Sequence, residues 1–128
     1  MIEAKNLRIE NLVYSNKQVV NIVQLERLYG DNYRMNDVRN NPNIEPIPLF
    51  KELIQNIPRI KEIATDHYHL EITLQYPGKR FIEITKTQHR WVAYYIVNDV
   101  AASSVKYYIH ELQNLYKEIT GIELEINQ

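Results

Sequence analysis

Cysteine is absent from this chain, glycine occurs only three times, and nowhere does an apolar run approach membrane-spanning length. Without thiols there are no disulfides, no thiolate nucleophile, no iron-sulfur cluster and no cysteine-ligated zinc. The three glycines, Gly30, Gly78 and Gly121, stand far apart. Phosphate-cradling loops and dinucleotide-binding turns need several glycines close together, so both routes to nucleotide chemistry are closed. Serine is scarce as well: Ser15, Ser103 and Ser104 are the only ones, and none lies in a G-x-S-x-G elbow. No catalytic constellation can be assembled from what remains, and the expectation is a protein without enzymatic activity and without a cofactor.

An excess of charge of either sign is also missing. Fifteen basic side chains oppose sixteen acidic ones, for a net charge of -1. Residues 1–64 carry nine positive and eight negative side chains, and residues 65–128 carry six and eight. A domain held on phosphate backbone by charge alone is strongly basic, so the balance disfavours nucleic acid as a partner. The opening residues, Met1 to Asn6, include no apolar stretch of the signal-peptide kind. The expectation is a soluble, cytoplasmic protein with no membrane partner.

What is present suffices for one core. At 128 residues with 45% hydrophobic content, the chain reads as a single α+β domain over 1–128, able to bury roughly two thirds of its unfolded surface. Leu7 to Tyr14 and Val19 to Leu28 are rich in Leu, Ile and Val, with Ser15, Asn16 and Lys17 as turn residues between them. They predict an N-terminal β-hairpin, which a small barrel-like sheet could extend. From Gly30 to Pro46 the chain is rich in Asn and reads as a long loop. Pro48 then opens a short central helix with Leu49, Leu53 and Ile57 at four-residue spacing; Pro58 ends or kinks it, and Ile60 and Ile63 add one further turn.

After Asp66 the period changes to two. Tyr68, Leu70, Ile72 and Leu74 alternate with His67, His69, Glu71 and Thr73, and segments at 81–86 and 91–97 complete an antiparallel meander that turns at Pro77 and Gly78. Its cover is an amphipathic C-terminal helix bearing Val105, Tyr108, Ile109, Leu112, Leu115, Tyr116 and Ile119, capped by Ser103 or Ser104 and closed by Gly121. Ile122, Leu124 and Ile126 predict a short final strand.

Two clusters invite a functional reading. If the Pro77-Gly78 turn sets Leu74 beside Ile82 and Ile72 beside Ile84, His67 falls across from His89 on the outer face, and His67, His69 and His89 become candidate metal ligands. The simpler reading is a solvated polar face, and the expectation is no tight zinc binding. Lys86, His89, Arg90 and Trp91 form a basic patch beside an aromatic, the residue types of a single-strand stacking platform. Lys79, Arg80 and Phe81 lie at the opposite end of the same hairpin, so these groups read more simply as solvated turns, with Trp91 entering the core.

The segment at 105–116, reading VKYYIHELQNLY, is followed by TGIEL at 120–124, and LRIENLV stands at 7–13. These stretches resemble a family of small uncharacterised proteins of phages, prophages and other mobile elements of gut-type bacteria. Members of that family join a helix reading YxHxLQNLY to a TGxEL strand and open on an LRIGNxV strand. The resemblance covers about a third of the chain and departs from the pattern at Glu10, where a glycine is usual, and at Phe50 to Leu53, which replace a Thr-capped helix start. It implies a shared fold and a bacterial host cell, and no activity. His110, Gln113 and Asn114 of the helix fall on its polar flank, where a partner could bind. The leading expectation is therefore a non-enzymatic phage or mobile-element accessory protein acting through protein contacts or self-association. A small nucleic-acid-binding module and a histidine-metal protein stand as alternatives.

Overall fold

The structure, a computed structural model, describes residues 8, 11–15, 17–21, 44–72 and 78–127. The expected Asn-rich loop up to residue 43, the strand beyond Asn21, and Leu74 with Pro77 lie outside the described residues. The fold is α+β and mostly strand. In chain order it comprises β1 (Leu12–Ser15), β2 (Gln18–Asn21), β3 (Ile44–Glu45), α1 (Lys51–Ile54), β4 (Lys61–Ala64), β5 (His67–Glu71), β6 (Arg80–Lys86), β7 (Trp91–Val97), β8 (Val100–Ala101) and α2 (Ile109–Thr120).

The N-terminal hairpin forms as expected. Ser15 pairs with Gln18, and Lys17, just before Gln18, takes the left-handed φ of 68° common in tight hairpin turns. β3 adds to the other side of β1, giving the order β2-β1-β3. The second sheet is larger than the expected three-stranded meander: five antiparallel strands in the order β4-β5-β6-β7-β8. β8 follows a two-residue turn in which Asn98 and Asp99 both have positive φ, 50° and 69°. The backbone sterics that make this turn tight favour Asn and Asp in the left-handed region.

One face of this sheet and α2 share a core. Tyr68, Leu70, Ile82, Ile84, Trp91, Ala93 and Tyr95 join Ile109, Leu112, Leu115 and Tyr116 in one cluster, together with Leu49, Leu53, Ile54 and Ile57 from the central segment. The alternation along β5 and the 3.6 period along α2 supply the two one-sided surfaces that cover each other.

Several expectations are corrected. The central helix is a single turn, Lys51–Ile54, with Leu49 before it and Ile57 after it. Pro48 instead forms an isolated bridge with Tyr108. Residues 61–64, read as a further helical turn, form edge strand β4, because Arg59 takes a left-handed φ of 67° that breaks the helical path. α2 starts at Ile109, four residues later than the apolar spacing suggests. Val105 is 42% exposed, and residues 106–108 are held in an extended course: Lys106 pairs with Ala93, Pro48 with Tyr108, and the Ile109 N–H bonds the Ile47 carbonyl at 2.8 Å. The helix is capped by neither serine. Glu111 reaches back to the N–H groups of Tyr107 and Tyr108 at 3.0 and 3.2 Å, while the Ser103 hydroxyl accepts the Tyr95 N–H at 2.9 Å. Gly121 does close the helix, at φ 75°. Beyond it Leu124 is buried but residues 122–126 form no strand; the Asn127 N–H bonds the Asn56 carbonyl at 3.0 Å and Glu123 pairs with Arg8.

Candidate functional site

The register between β5 and β6 decides which polar side chains meet. Leu70 pairs with Ile82 and Tyr68 with Ile84, four residues away from the register that places His67 opposite His89. The same register continues one step past β5, where the Ile72 N–H bonds the Arg80 carbonyl at 3.0 Å. Opposite His67 stands Thr85, and opposite His69 stands Glu83. His89 lies beyond β6, exposed in the turn that Thr87 closes by donating its N–H to the Arg90 carbonyl at 2.8 Å. The three-histidine set is therefore replaced by a different trio.

On the outer face Lys61, His69, Glu83 and Tyr94 fall in one row across β4, β5, β6 and β7. Both imidazoles aim Nε2 at the same Glu83 oxygen. His67 Nε2 lies 2.6 Å from Glu83 Oε1 and His69 Nε2 lies 3.7 Å from it, and the candidate ligand atoms of all three residues fall within 4.8 Å of one another. The second distance is too long for a hydrogen bond, and His69 Nε2 is buried without a hydrogen-bond partner. The His69 ring stacks on Phe81 with centroids 4.1 Å apart, and the His67 ring meets His69 edge-on at 5.0 Å.

Charge in this row is set by the neighbours. Burial works to raise the Glu83 carboxyl, but hydrogen bonds from Tyr94 and His67 outweigh it and hold the group below its ordinary value. The same Glu83 bond, aided by burial, pushes the Tyr94 phenol up to about 12, so it remains a donor. Burial, reinforced by the charge of His67, lowers His69 and favours its neutral, ligand-competent form. Lys61, opposite His69, is engaged by Glu71 at 2.9 Å.

The basic patch is partly dismantled. Trp91 is buried in the core, 6.0 Å from the Tyr68 ring, and offers no stacking surface to a ligand. Lys86 and Arg90 remain exposed. The Arg90 guanidinium lies 3.8 Å above the Tyr107 ring and 5.7 Å from that of Tyr108, which sequence reasoning left out because Tyr107 belonged to no apolar period.

The polar flank of α2 is not a free surface. Gln113 is 3% exposed and its Oε1 accepts the Leu12 N–H at 2.8 Å. Asn114 Oδ1 accepts from Asn11 Nδ2 at 2.9 Å and from Arg8 Nε at 2.7 Å, and Arg8 also pairs with Glu123. His110 is buried and stacks on Tyr108. The N-terminal segment occupies the flank that the helix period alone assigns to solvent.

Among the described residues no helix is long and apolar enough to cross a membrane. Comparisons with models of protein families, with curated proteins and with solved structures give no match to this chain.

Proposed function

We propose that the chain is a non-enzymatic accessory protein of a phage or mobile element that works by binding another protein through the patch formed by Arg90, Tyr107, Tyr108 and Val105. The observation that carries this reading is the Arg90 guanidinium held 3.8 Å over Tyr107 while remaining exposed; Val105, two residues before Tyr107 in the chain, is 42% exposed. Arginine and tyrosine supply a large share of binding energy at protein interfaces, and an arginine already ordered by stacking loses less conformational freedom when a partner arrives. The genomic context rests on the resemblance of residues 105–116 and 120–124 to proteins of mobile elements. The balanced net charge favours a protein over a nucleic acid as partner.

A photo-crosslinking side chain placed at Val105, with expression in a bacterial host carrying the element, tests the reading. The expected result is one discrete protein adduct that excess unlabelled chain competes away, that forms again with the purified partner, and that is lost in Arg90→Ala and Tyr107→Ala. An adduct no stronger than that of a control probe at Lys117 overturns it. So does submicromolar affinity for single-stranded oligonucleotides, measured by fluorescence anisotropy and sensitive to Arg90→Ala. Lys86 and Arg90 can neutralise few phosphates, so the proposal expects weak binding with a salt slope of about 2 on a log-log plot.

A further inference from the structure

We propose that His67, His69 and Glu83 form a binding site for a single divalent transition-metal ion of the zinc class on the outer face of the five-stranded sheet. The site shares no residue with the Arg90 patch and does not depend on it. Three features of the geometry carry the proposal: spacing, support and an unanswered polar atom.

Positions 67 and 69 are two apart on one strand, so both imidazoles stand on the same face, and the antiparallel register delivers Glu83 directly beside them. Around a tetrahedral zinc ion with bonds of about 2.1 Å, ligand atoms sit about 3.4 Å from one another. The 2.6 and 3.7 Å separations to Glu83 Oε1, within a set spanning no more than 4.8 Å, bracket that value. Shifts of about 1 Å between the ligand atoms separate this arrangement from a tetrahedral zinc site. Two imidazole nitrogens and one carboxylate suit zinc, cobalt or nickel, whereas magnesium and calcium prefer oxygen sets. Three protein ligands leave the remaining coordination positions to water or to an added donor group.

The ligands are held as a metal site requires. β5 and β6 are interior strands backed by the buried side chains of Tyr68, Leu70, Ile82 and Ile84, so the Cβ positions are fixed by packing. Phe81 stacks on the His69 ring, and Tyr94 donates to Glu83 from the next strand, orienting the carboxylate as outer-sphere groups do around bound metals. A plain ion pair between His67 and Glu83 accounts for two of the three residues. It leaves His69 Nε2 buried, facing the same oxygen and unbonded, and a metal ion is the partner that answers all three at once.

The test uses the full chain without an affinity tag, stripped with chelator and titrated with zinc by calorimetry and with cobalt by visible absorption. The expected result is one ion per chain at low-micromolar affinity or better, weakened at least ~10-fold by His69→Ala and by Glu83→Gln, and by about that factor in Tyr94→Phe, which touches only the outer sphere. Should a ligand variant lose its fold, long-range proton-nitrogen spectra of the unmutated protein decide the matter: on zinc addition the Nε2 signals of His67 and His69 shift. No saturable binding by the folded chain overturns the proposal. So does binding that persists in both ligand variants, or a zinc shift at His89 or His110 in place of His67 and His69.

Discussion

Replacing Gln113 by alanine separates two views of the C-terminal helix. On the helix period alone Gln113 faces solvent, and Gln113→Ala at an exposed position changes stability by no more than about 0.5 kcal/mol, with a small gain from the better helix former. In the folded chain the amide is 3% exposed and its Oε1 receives the Leu12 N–H at 2.8 Å, at a point where Leu12 is itself buried. Truncation leaves the buried Leu12 N–H without its acceptor, which costs about 1 to 3 kcal/mol. That is the expected loss.

At an unfolding entropy of about 2.1 cal/mol/K per residue, 128 residues convert that loss into a fall in Tm of about 4 to 11 °C. Urea and thermal unfolding followed by far-UV circular dichroism and by the fluorescence of Trp91, the single tryptophan and a buried one, measure it directly. Glu118→Ala, on an exposed position of the same helix, is the control. If Gln113→Ala and Glu118→Ala are indistinguishable, β1 does not dock on α2 through this amide, and the placement of the N-terminal hairpin is wrong.

Two further outcomes follow from the same core. Leu112 is fully buried between α2 and the sheet, and Leu112→Ala is expected to cost about 2 to 5 kcal/mol by chemical denaturation; a loss under about 0.5 kcal/mol removes it from the core. Burial lowers the pKa of His110 below 6.5, against a smaller opposing effect of Glu111, beside a cleft that Lys106 and Glu118 also line. The unfolded chain therefore takes up a proton at this position, as pH falls through about 6.5, that the folded chain still refuses. Stability contributed by neutral His110 is complete above that pH and declines below it, by up to about 1.4 kcal/mol per pH unit until the folded group titrates. His110→Gln is expected to flatten the fall in Tm between pH 7 and pH 5, and an unchanged slope refutes the assignment.

The parts of the fold legible in the sequence are those whose pattern is doubled by burial. β5 alternates because one face meets the core, and the helix over 109–120 repeats its apolar positions for the same reason, whereas β6 and β7 are legible as runs rich in β-branched and aromatic residues. β4 carries no such signal: all four of its residues are exposed, and a register shift between Glu62 and Ala64 disrupts what alternation there is. Ile60 and Ile63, three apart, then imitate a helical turn. Val105 misleads in the opposite direction, falling in the helical period while lying on an extended segment that Ala93 and Ile47 hold by backbone hydrogen bonds invisible to hydrophobicity.

The candidate metal site shows most sharply where pattern reading stops. A slip of four residues between β5 and β6 is even, so every side chain keeps its face, and hydrophobic alternation rates the two registers equally. His67 and His69 are outward in both. Their neighbour is His89 in one and Glu83 in the other, and the observed pairing, carried on by the Ile72 N–H on the Arg80 carbonyl, is the one that selects Glu83. Glu83 could have been found by enumerating the even slips and asking which outward partner on 81–86 completes a nitrogen and oxygen donor set. Among those residues Glu83 is the one carboxylate, and its cross-strand neighbours are His69 on one side and Tyr94 on the other. The same parity argument reaches Tyr94: it is outward whenever Tyr95 is in the core, and its place beside Glu83 follows from the seven-residue pairing of β6 with β7. Chemistry on a sheet face is thus chosen by register.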